Sequence, residues 1–294
     1  MTYWIGKWFG RIFINLSLGV QRWLAEFLGW VAWLALSKKR KKNAVSNICA
    51  ALGVSVEDAQ QIAKASVTRF GRMLATLFHY PIFSQEIVRK NVRFHGLEHL
   101  DQALSYNKGV VLASGHCGNW ELLGSSLQLI GYPMVAVIRP QRNRGFDKLI
   151  HEYRSMIGGI ILQKTDVRSI VRQLKKNRMP FILIDQDAHE AGIFVKFFGR
   201  WASTHTGAAA LARVAGSPIV TTFITEAPDG THDLFLNPPM FVSQDGEKNK
   251  IVYDTMQQLT LKLEEHVRRH PGEWFWLQDR WRTKKEDTPE VEVL

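Results

Sequence analysis

The chain has 294 residues, and 46% of them are apolar, which is enough for one large domain or for one domain with a helical appendage. Its formal net charge is +11, from 38 basic and 27 acidic residues. Residues 1–42 contribute +7 of this charge, because they hold eight basic residues and the single acid Glu26. The total charge permits a nucleic-acid-binding protein, but its uneven distribution and the lack of a nucleic-acid-binding motif count against one. Two cysteines, Cys49 and Cys117, exclude a disulfide-rich scaffold and fit a reducing compartment.

The N-terminal stretch is rich in tryptophan and ends in a basic run. It holds half of the ten tryptophans, and every residue of Lys38–Lys42 is Lys or Arg. Tryptophan favours the membrane–water interface, and basic residues next to a membrane attract anionic lipid on the cytoplasmic side. Arg22 and Glu26 interrupt the apolar run, which disfavours a simple span. We therefore expect residues 1–42 to anchor the chain at a membrane, in its interface or partly inserted, with the basic run on the cytoplasmic side.

Four large apolar residues of this stretch share one helical face. They follow the spacing i, i+4, i+7 and i+11: Trp23, Phe27, Trp30 and Leu34. We expect this face to contact the membrane. The alternative is that the aromatic face packs against the chain's own domain and that the basic run is a solvated linker.

The remaining chain is helical at first and then alternates between strands and helices. Ser55 and Asp58 mark a helix start, and Pro81 ends that helix near His79. The alternation predicts an α/β fold with a mainly parallel sheet flanked by helices. We assign residues 43–285 to one domain and residues 286–294 to a loose, Glu-containing tail. The predicted strands are 110–113, 134–138, 181–184, 219–224 and 233–236, and the predicted helices between and after them are 120–130, 145–156, 166–177, 206–215 and 249–269.

The segment VVLASGHCGNWE, residues 110–121, carries the candidate site. It predicts a strand, a glycine-flanked turn and a helix, with His116 at the carboxyl end of the strand, where open α/β sheets bind ligands. On one continuous helix, five residues would separate His116 and Glu121 by about 140°. We therefore expect them to meet across the turn and the helix start, with Gly115 and Gly118 permitting the bend. Glu121 would orient His116 and leave its other ring nitrogen free as a base, and a purely structural His–Glu pair is the alternative.

The segment GHCGNWE resembles the histidine-four-residues-acid motif of glycerolipid acyltransferases, in the lysophospholipid acyltransferase-like superfamily. With Asn119, Trp120 and Glu121 together, it is similar to the lipid A biosynthesis acyltransferase family, which includes lauroyl and myristoyl transferases. The chain departs from that family at Leu277–Arg280, where Leu-Gln-Asp-Arg replaces a His-Arg-Arg sequence. The resemblance spans residues 35–285 in ordered blocks: 43–47, 137–140, 184–187, 195–199, 204–207 and 274–282.

This resemblance implies a membrane-associated O-acyltransferase with the α/β acyltransferase fold, at the cytoplasmic face of the inner (plasma) membrane. A fatty acyl chain would move from acyl carrier protein, or from coenzyme A, to a hydroxyl of a lipid A precursor or related glycolipid. His116 would be the general base and Glu121 would orient it, with no metal and no cofactor beyond the acyl donor. The implied partners are the carrier protein or acyl-CoA, a membrane glycolipid and an anionic membrane surface, and no nucleic acid.

Five further residues are candidates for substrate binding: Asn119, Arg139, Asp185, Asp187 and Thr204. Asn119 and the backbone amides of the Gly115–Gly118 turn would donate to the oxyanion that forms from a thioester. Arg139, at the end of the second strand, suits a phosphate or a surface ion pair. The two aspartates at a strand end are expected to order the site or to bind acceptor hydroxyls. Thr204 lies at a predicted helix start, where it would help to bind an anion or cap the helix.

Other functions are also compatible with parts of the pattern. A lysophospholipid or glycerol-phosphate acyltransferase is the main alternative, although its usual motif acid is Asp rather than Glu. A non-catalytic membrane-binding or nucleic-acid-binding protein is more distant, because His116, Asn119 and Glu121 are all present. Cys117 next to His116 would suit a covalent acyl-cysteine, but the resemblance favours direct transfer.

Overall fold

The first 82 residues are helical, as the periodicity of their apolar residues predicts. The computed structural model, which describes residues 1–285, places five helical elements there: α1 (Thr2–Ile14), α2 (Leu18–Ala35), α3 (Lys38–Leu52), α4 (Val56–Thr76) and a 3-10 helix (Leu77–Ile82). The Ser55 hydroxyl accepts a hydrogen bond from the Asp58 amide at 3.0 Å, which confirms the predicted start of α4. The basic run forms the first turns of α3, with Ser37 as its N-cap, and is not a linker.

Helix α2 packs closely on α4 through one face and leaves its aromatic face exposed. A Cβ atom at Gly29 would lie only 2.7 Å from the Thr68 Cα, so this close approach of the two helices requires glycine. The aromatic stripe lies elsewhere, with each side chain between 44% and 60% exposed: Trp23, Phe27, Trp30 and Leu34. The alternative in which this stripe packs against the chain's own domain is therefore wrong. No helix within residues 1–285 is long and apolar enough to cross a membrane.

The predicted mainly parallel sheet flanked by helices is confirmed. It has seven strands: β1 (Val92–His95), β2 (Val111–Ser114), β3 (Met134–Ile138), β4 (Ile160–Gln163), β5 (Met179–Leu183), β8 (Ile219–Glu226) and β9 (His232–Leu236). Their order across the sheet is β1-β9-β8-β2-β5-β3-β4. Strands β8, β2, β5, β3 and β4 run parallel, whereas β9 pairs antiparallel with β8 and parallel with β1.

Helices cover both faces of the sheet, and the central strand β2 shows why its residues are all apolar or small. Leu112 packs in a cluster with residues of α7, while Val111 and Ala113 pack on the other face with residues of α9, α10 and α11. The remaining helices are α5 (Gln85–Asn91), α6 (Leu97–Ser105), α7 (Trp120–Leu129), α8 (Arg144–Met156), α9 (Val167–Leu174), α10 (Gly207–Ala215) and α11 (Lys248–Arg269). A separate antiparallel hairpin joins β6 (Ile193–Phe197) and β7 (Arg200–Thr204).

The register of β2 and β5 fixes the position of the site. Ser114 and Leu183 are direct partners in the parallel ladder, and the Ile184 amide donates to the Ser114 carbonyl oxygen at 2.9 Å. His116 and Asp185 each follow two residues after this pair. The chain therefore places them side by side at the carboxyl edge of the sheet.

Candidate active site

A tight turn carries His116 from β2 to α7. Gly118 has a φ of +57°, and a Cβ atom there would lie 2.0 Å from the Ile224 carbonyl oxygen, so only glycine fits this position. The turn is also held by the chain's last described segment, because the Gly118 amide donates to the Glu273 carbonyl oxygen at 2.9 Å. His116 is thus presented on a rigid loop at the edge of the sheet.

The imidazole of His116 is oriented by Asp185. Its Nδ1 lies 2.7 Å from Asp185 Oδ1, and the His116 backbone amide donates to Asp185 Oδ2 at 2.8 Å. A carboxylate only accepts hydrogen bonds, so the proton is assigned to Nδ1 and Nε2 carries a free lone pair. The side chain is 16% exposed, and its ring meets Trp120 edge-on at 4.9 Å between ring centres.

Two side chains from the segment Glu273–Gln278, which we name the C-terminal strap, complete the surroundings of Asp185. Trp274 Nε1 and Gln278 Nε2 donate to Asp185 Oδ2 at 2.7 and 2.9 Å. Burial of this carboxyl group opposes its ionisation, but the charge that His116 carries when protonated and the hydrogen bonds from His116 and the Gln278 amide outweigh that penalty. Together they hold the pKa of Asp185 well below its usual range, so the group is ionised at neutral pH.

Glu121 does not contact the imidazole, and the predicted His116–Glu121 pair is wrong in its geometry. Glu121 does lie in the first turn of α7, as predicted, but its carboxylate points to other partners. Arg154 Nη2 donates to Glu121 Oε1 at 2.5 Å, and the Tyr80 hydroxyl donates to Oε2 at 2.9 Å. The helix directs the buried carboxylate towards α8 and the 3-10 helix, where a cation balances its charge.

Asn119 and three of the predicted backbone donors of the turn are already engaged within the protein. Asn119 caps α7, since its Oδ1 accepts from the Leu122 amide at 3.0 Å and its Nδ2 donates to the Thr76 hydroxyl at 2.6 Å. In the turn itself, the amides of His116, Cys117 and Gly118 donate to Asp185, to the Gly115 carbonyl and to the Glu273 carbonyl. These groups therefore hold the turn in shape and do not point to a substrate.

The other predicted binding residues fall into two groups. Asp185 is only 1% exposed and cannot reach a substrate, and Asp187 accepts from the Thr283 hydroxyl at 2.8 Å, so both aspartates act within the protein. Thr204 is the last residue of β7, not a helix start, and it is fully buried against Arg280. Arg139 alone remains exposed, just after β3 at the same edge of the sheet as His116.

The Cys117 thiol is buried beside Asp185. Burial, followed by the charge of that carboxylate, raises the pKa of Cys117 well above its ordinary value. The thiol therefore stays protonated at neutral pH, which removes the nucleophile that a covalent acyl-cysteine would need.

An apolar cavity of about 380 Å³ lies between α1, α2, α4, the 3-10 helix and α8. Phe13, Ala25, Ala75 and Ile150 are among the residues that line it. Phe70 also lines this cavity, and its ring lies 5.9 Å from the ring of Trp120, which in turn contacts His116. A continuous series of aromatic contacts therefore links the cavity to the imidazole.

Sequence reasoning missed the partners that matter most to these two buried charges. Trp274 and Gln278 lie about 90 residues after Asp185, and Arg154 lies 33 residues after Glu121. The similarity block at 274–282 covers both strap residues, but it did not place them beside Asp185. No local spacing could have identified Tyr80 or Arg154.

The family follows from a match over almost the whole chain. The sequence model of the bacterial lipid A biosynthesis acyltransferase family matches residues 1–283. The chain belongs to this family. It is therefore an acyltransferase.

Individual relatives agree with this assignment. A lipid A biosynthesis acyltransferase of Haemophilus influenzae is 25% identical over 97% of this chain and 89% of its own length. A lipid A biosynthesis palmitoleoyltransferase of Escherichia coli is 26% identical, covering 96% of this chain and 92% of its own. A phosphatidylinositol mannoside acyltransferase of Mycobacterium tuberculosis is 25% identical, covering 86% of each. Among solved structures, the 1-acyl-sn-glycerophosphate acyltransferase of Thermotoga maritima aligns with a TM-score of 0.40 and 10% identity, covering 84% of this chain and 97% of that one.

We expect Arg154→Met to destabilise the protein strongly. The substitution leaves the buried Glu121 carboxylate without its cation, which costs about 3–5 kcal/mol of unfolding free energy. Denaturant unfolding measures this loss. Arg139→Met is the matched control, because Arg139 is exposed and its loss should change the unfolding free energy by less than about 0.5 kcal/mol. Equal stability of the two variants would contradict a supporting role for the Arg154–Glu121 pair.

Proposed function

We propose that this acyltransferase moves a fatty acyl chain from acyl carrier protein, or from coenzyme A, to a hydroxyl of a lipid A precursor or related glycolipid. The observation that carries the proposal is His116, whose Nδ1 is fixed on the buried Asp185 and whose Nε2 is left with a free lone pair. The acceptor class is suggested by relatives that are named for lipid A and phosphatidylinositol mannoside. The reaction would take place at the cytoplasmic face of the inner membrane.

In the proposed reaction His116 acts as a general base and then as a general acid. Nε2 takes the proton of the acceptor hydroxyl while that oxygen attacks the thioester carbonyl, forming a tetrahedral intermediate. The carbon–sulfur bond then breaks, and the departing thiolate receives the proton from Nε2. Asp185 stabilises the imidazolium between these steps. Catalysis of this kind contributes about 10²–10⁴-fold in rate.

Glu121 has a different task in this proposal from the one its spacing suggested. With Arg154 and Tyr80 it joins α7 to α8 and to the 3-10 helix. All three elements approach the site or line the apolar cavity. Glu121 therefore supports the shape of the site and takes no part in the proton transfer.

The apolar cavity suits the acyl chain of the donor. Its volume of about 380 Å³ falls in the usual range of ligand cavities, roughly 300–1,000 Å³. Burying a methylene contributes about 0.8 kcal/mol, so an apolar chain held there would gain substantial binding energy. The aromatic contacts from Phe70 through Trp120 to His116 would place the thioester end of the chain near the base.

The basic loop after β3 lies close to α1, which suits an anionic acceptor at a membrane surface. Asn143 of this loop donates to the Thr2 hydroxyl at 3.3 Å, and Lys7 pairs with Glu152 of α8 at 2.6 Å. Arg139, Arg142 and Arg144 are exposed there. Their guanidinium groups would bind phosphate groups of an acceptor whose acyl chains remain in the membrane.

The reaction itself is tested on membrane lipids and with purified protein. Mass spectrometry of lipids from cells with and without the protein should show one glycolipid gaining one acyl chain. His116→Ala should abolish transfer, and Asp185→Asn should lower it by about 10²–10⁴-fold, while both variants remain folded and membrane-bound. Near-normal turnover of His116→Ala would contradict its role as base, and acylation of lysophosphatidate alone would reassign the acceptor.

We expect Ala75→Phe to shift donor selection towards shorter chains. The new ring would occupy part of the cavity, so the last methylenes of a long chain would lose their burial, at about 0.8 kcal/mol each. Rates with donors of increasing chain length should fall by at least about tenfold for the longest chains, relative to the native protein. Ala50→Phe, at an exposed position on α3, is the control and should leave the chain-length profile unchanged. If both variants had the same chain-length profile, the acyl chain would not bind in this cavity.

We expect the aromatic surface of α1 and α2 to bind anionic membranes. Trp4, Trp8 and Trp23 are 60–69% exposed, and replacing all three with Gln should reduce flotation with vesicles of anionic phospholipid by at least about tenfold. The control replaces three exposed apolar residues of the α/β domain with Gln: Val167, Val214 and Phe241. If both triple variants float as the native protein does, the membrane contact lies elsewhere.

A further inference from the structure

The C-terminal strap binds the catalytic turn by its backbone as well as by its side chains. The Phe275 amide donates to the His116 carbonyl oxygen at 3.0 Å, next to the bond between Gly118 and Glu273. Trp274 also forms an antiparallel bridge with Cys117. Ser66 of α4 fixes the strap from its other side, because its hydroxyl donates to the Trp274 carbonyl oxygen at 2.6 Å. The strap is therefore held in one position relative to His116.

Gln278 lies at the end of this strap, and its side-chain amide forms a hydrogen bond with Asp185. Since an ionised carboxylate offers no proton, the Gln278 nitrogen must face Asp185, and it donates at 2.9 Å. The other end of the amide, Oε1, is buried and has no hydrogen-bond partner among the described residues. Leaving a buried acceptor unpaired is unfavourable. Within the described residues, the bond to Asp185 is therefore the hydrogen bond that fixes the Gln278 side chain.

We propose that Gln278 is a positioning residue that shares the charge of Asp185 and so weakens the attraction of this carboxylate for a proton on His116. The negative charge of a carboxylate favours the protonated form of a neighbouring imidazole. Each hydrogen bond that the carboxylate accepts from another N–H group spreads this charge and weakens the effect. Without the Gln278 amide, Asp185 would hold the imidazolium more firmly, and His116 would remain protonated to a higher pH. This inference rests on the proposed function, in which the unprotonated ring of His116 accepts the hydroxyl proton.

The other charges around Asp185 come from its neighbouring elements and do not depend on Gln278. Burial lowers the pKa of Arg280 to about 10 in spite of Asp185 and Asp187, so Arg280 remains a cation at neutral pH. The Cys117 thiol remains neutral, because burial raises its pKa. A substitution at Gln278 therefore changes one hydrogen bond to Asp185 and leaves the charges of these groups as they are.

The first test needs no acyl transfer. Diethyl pyrocarbonate modifies unprotonated imidazole, so the modification rate of the His116 peptide, followed by mass spectrometry across pH 5–8, reports the protonation of this ring. The full-length Gln278→Met variant keeps the length of the side chain but has no side-chain N–H. In this variant we expect the pH at which the modification rate is half-maximal, the midpoint, to rise by about half a pH unit. An unchanged midpoint would overturn the inference.

Gln257→Met is the matched control. Gln257 is also a half-buried glutamine, but it lies where α11 packs on β6, away from Asp185. Its Oε1 accepts from the Lys196 amide at 2.7 Å, and its Nε2 donates to the Lys196 carbonyl oxygen at 2.9 Å. Its loss should lower the unfolding free energy without moving the His116 midpoint. Equal shifts in both variants would mean that the shift reflects lost stability, and this result would also overturn the inference. Gln278→His, which restores an N–H donor, should return the midpoint towards the native value.

Kinetics provide the second test. In Gln278→Met, the acid limb of the profile of kcat/KM against pH should move to higher pH by the same half unit. At a given pH on that limb, kcat should be about threefold lower and the KM for the acyl donor should be unchanged. A uniform loss of kcat at every pH, with no movement of the limb, would contradict the inference. If the native protein transfers no acyl chain, the proposed function fails, and the modification midpoint alone then decides the role of Gln278.

Discussion

The ionised carboxyl group of Asp185 is the charge on which the site depends. A carboxylate that has lost its water is stable only where hydrogen-bond donors replace that water. The donors here come from the His116 turn and from Trp274 and Gln278 of the C-terminal strap. Satisfying this one charge therefore brings together the ends of β2 and β5 and a segment about 90 residues further along. The orientation of the imidazole follows from this requirement.

Glu121 obeys the same rule with different partners. Its carboxylate is also buried, and it takes its donors from Arg154 of α8 and from Tyr80 of the 3-10 helix. The two acids of the site are thereby separated by function. Asp185 faces the imidazole at the edge of the sheet, while Glu121 faces the junction of three helical elements beside the apolar cavity. The five-residue spacing from His116 to Glu121 thus joins two neighbouring but distinct charge clusters.

Much of the fold could be predicted from the sequence, because strand and helix periodicities are local properties. The prediction for β3 (134–138) was right to the residue, the start of α4 followed from the capping residue Ser55, and the helix predicted at 120–130 begins where α7 begins. Strands β1 and β4 were missed because they lie at the two edges of the sheet and are only partly buried, and β6 and β7 were missed because they form a separate hairpin outside the alternation of strands and helices. The partner of His116 was predicted wrongly for another reason. Sequence spacing measures distance along one segment, whereas the register of Ser114 against Leu183 joins two segments about 70 residues apart.

The N-terminal helices show how one element can serve two surfaces at once. Their inner faces carry small residues, such as Ala25 and Gly29, which let α2 approach α4 and leave space for the cavity. Their outer faces carry large aromatic side chains that the domain does not cover. Because the same helices line the cavity and present this aromatic surface, a membrane bound to the aromatic surface would also hold one wall of the cavity in place. On the proposed function, a change in membrane contact would therefore also change the shape of the cavity, because residues of α1 and α2 line it.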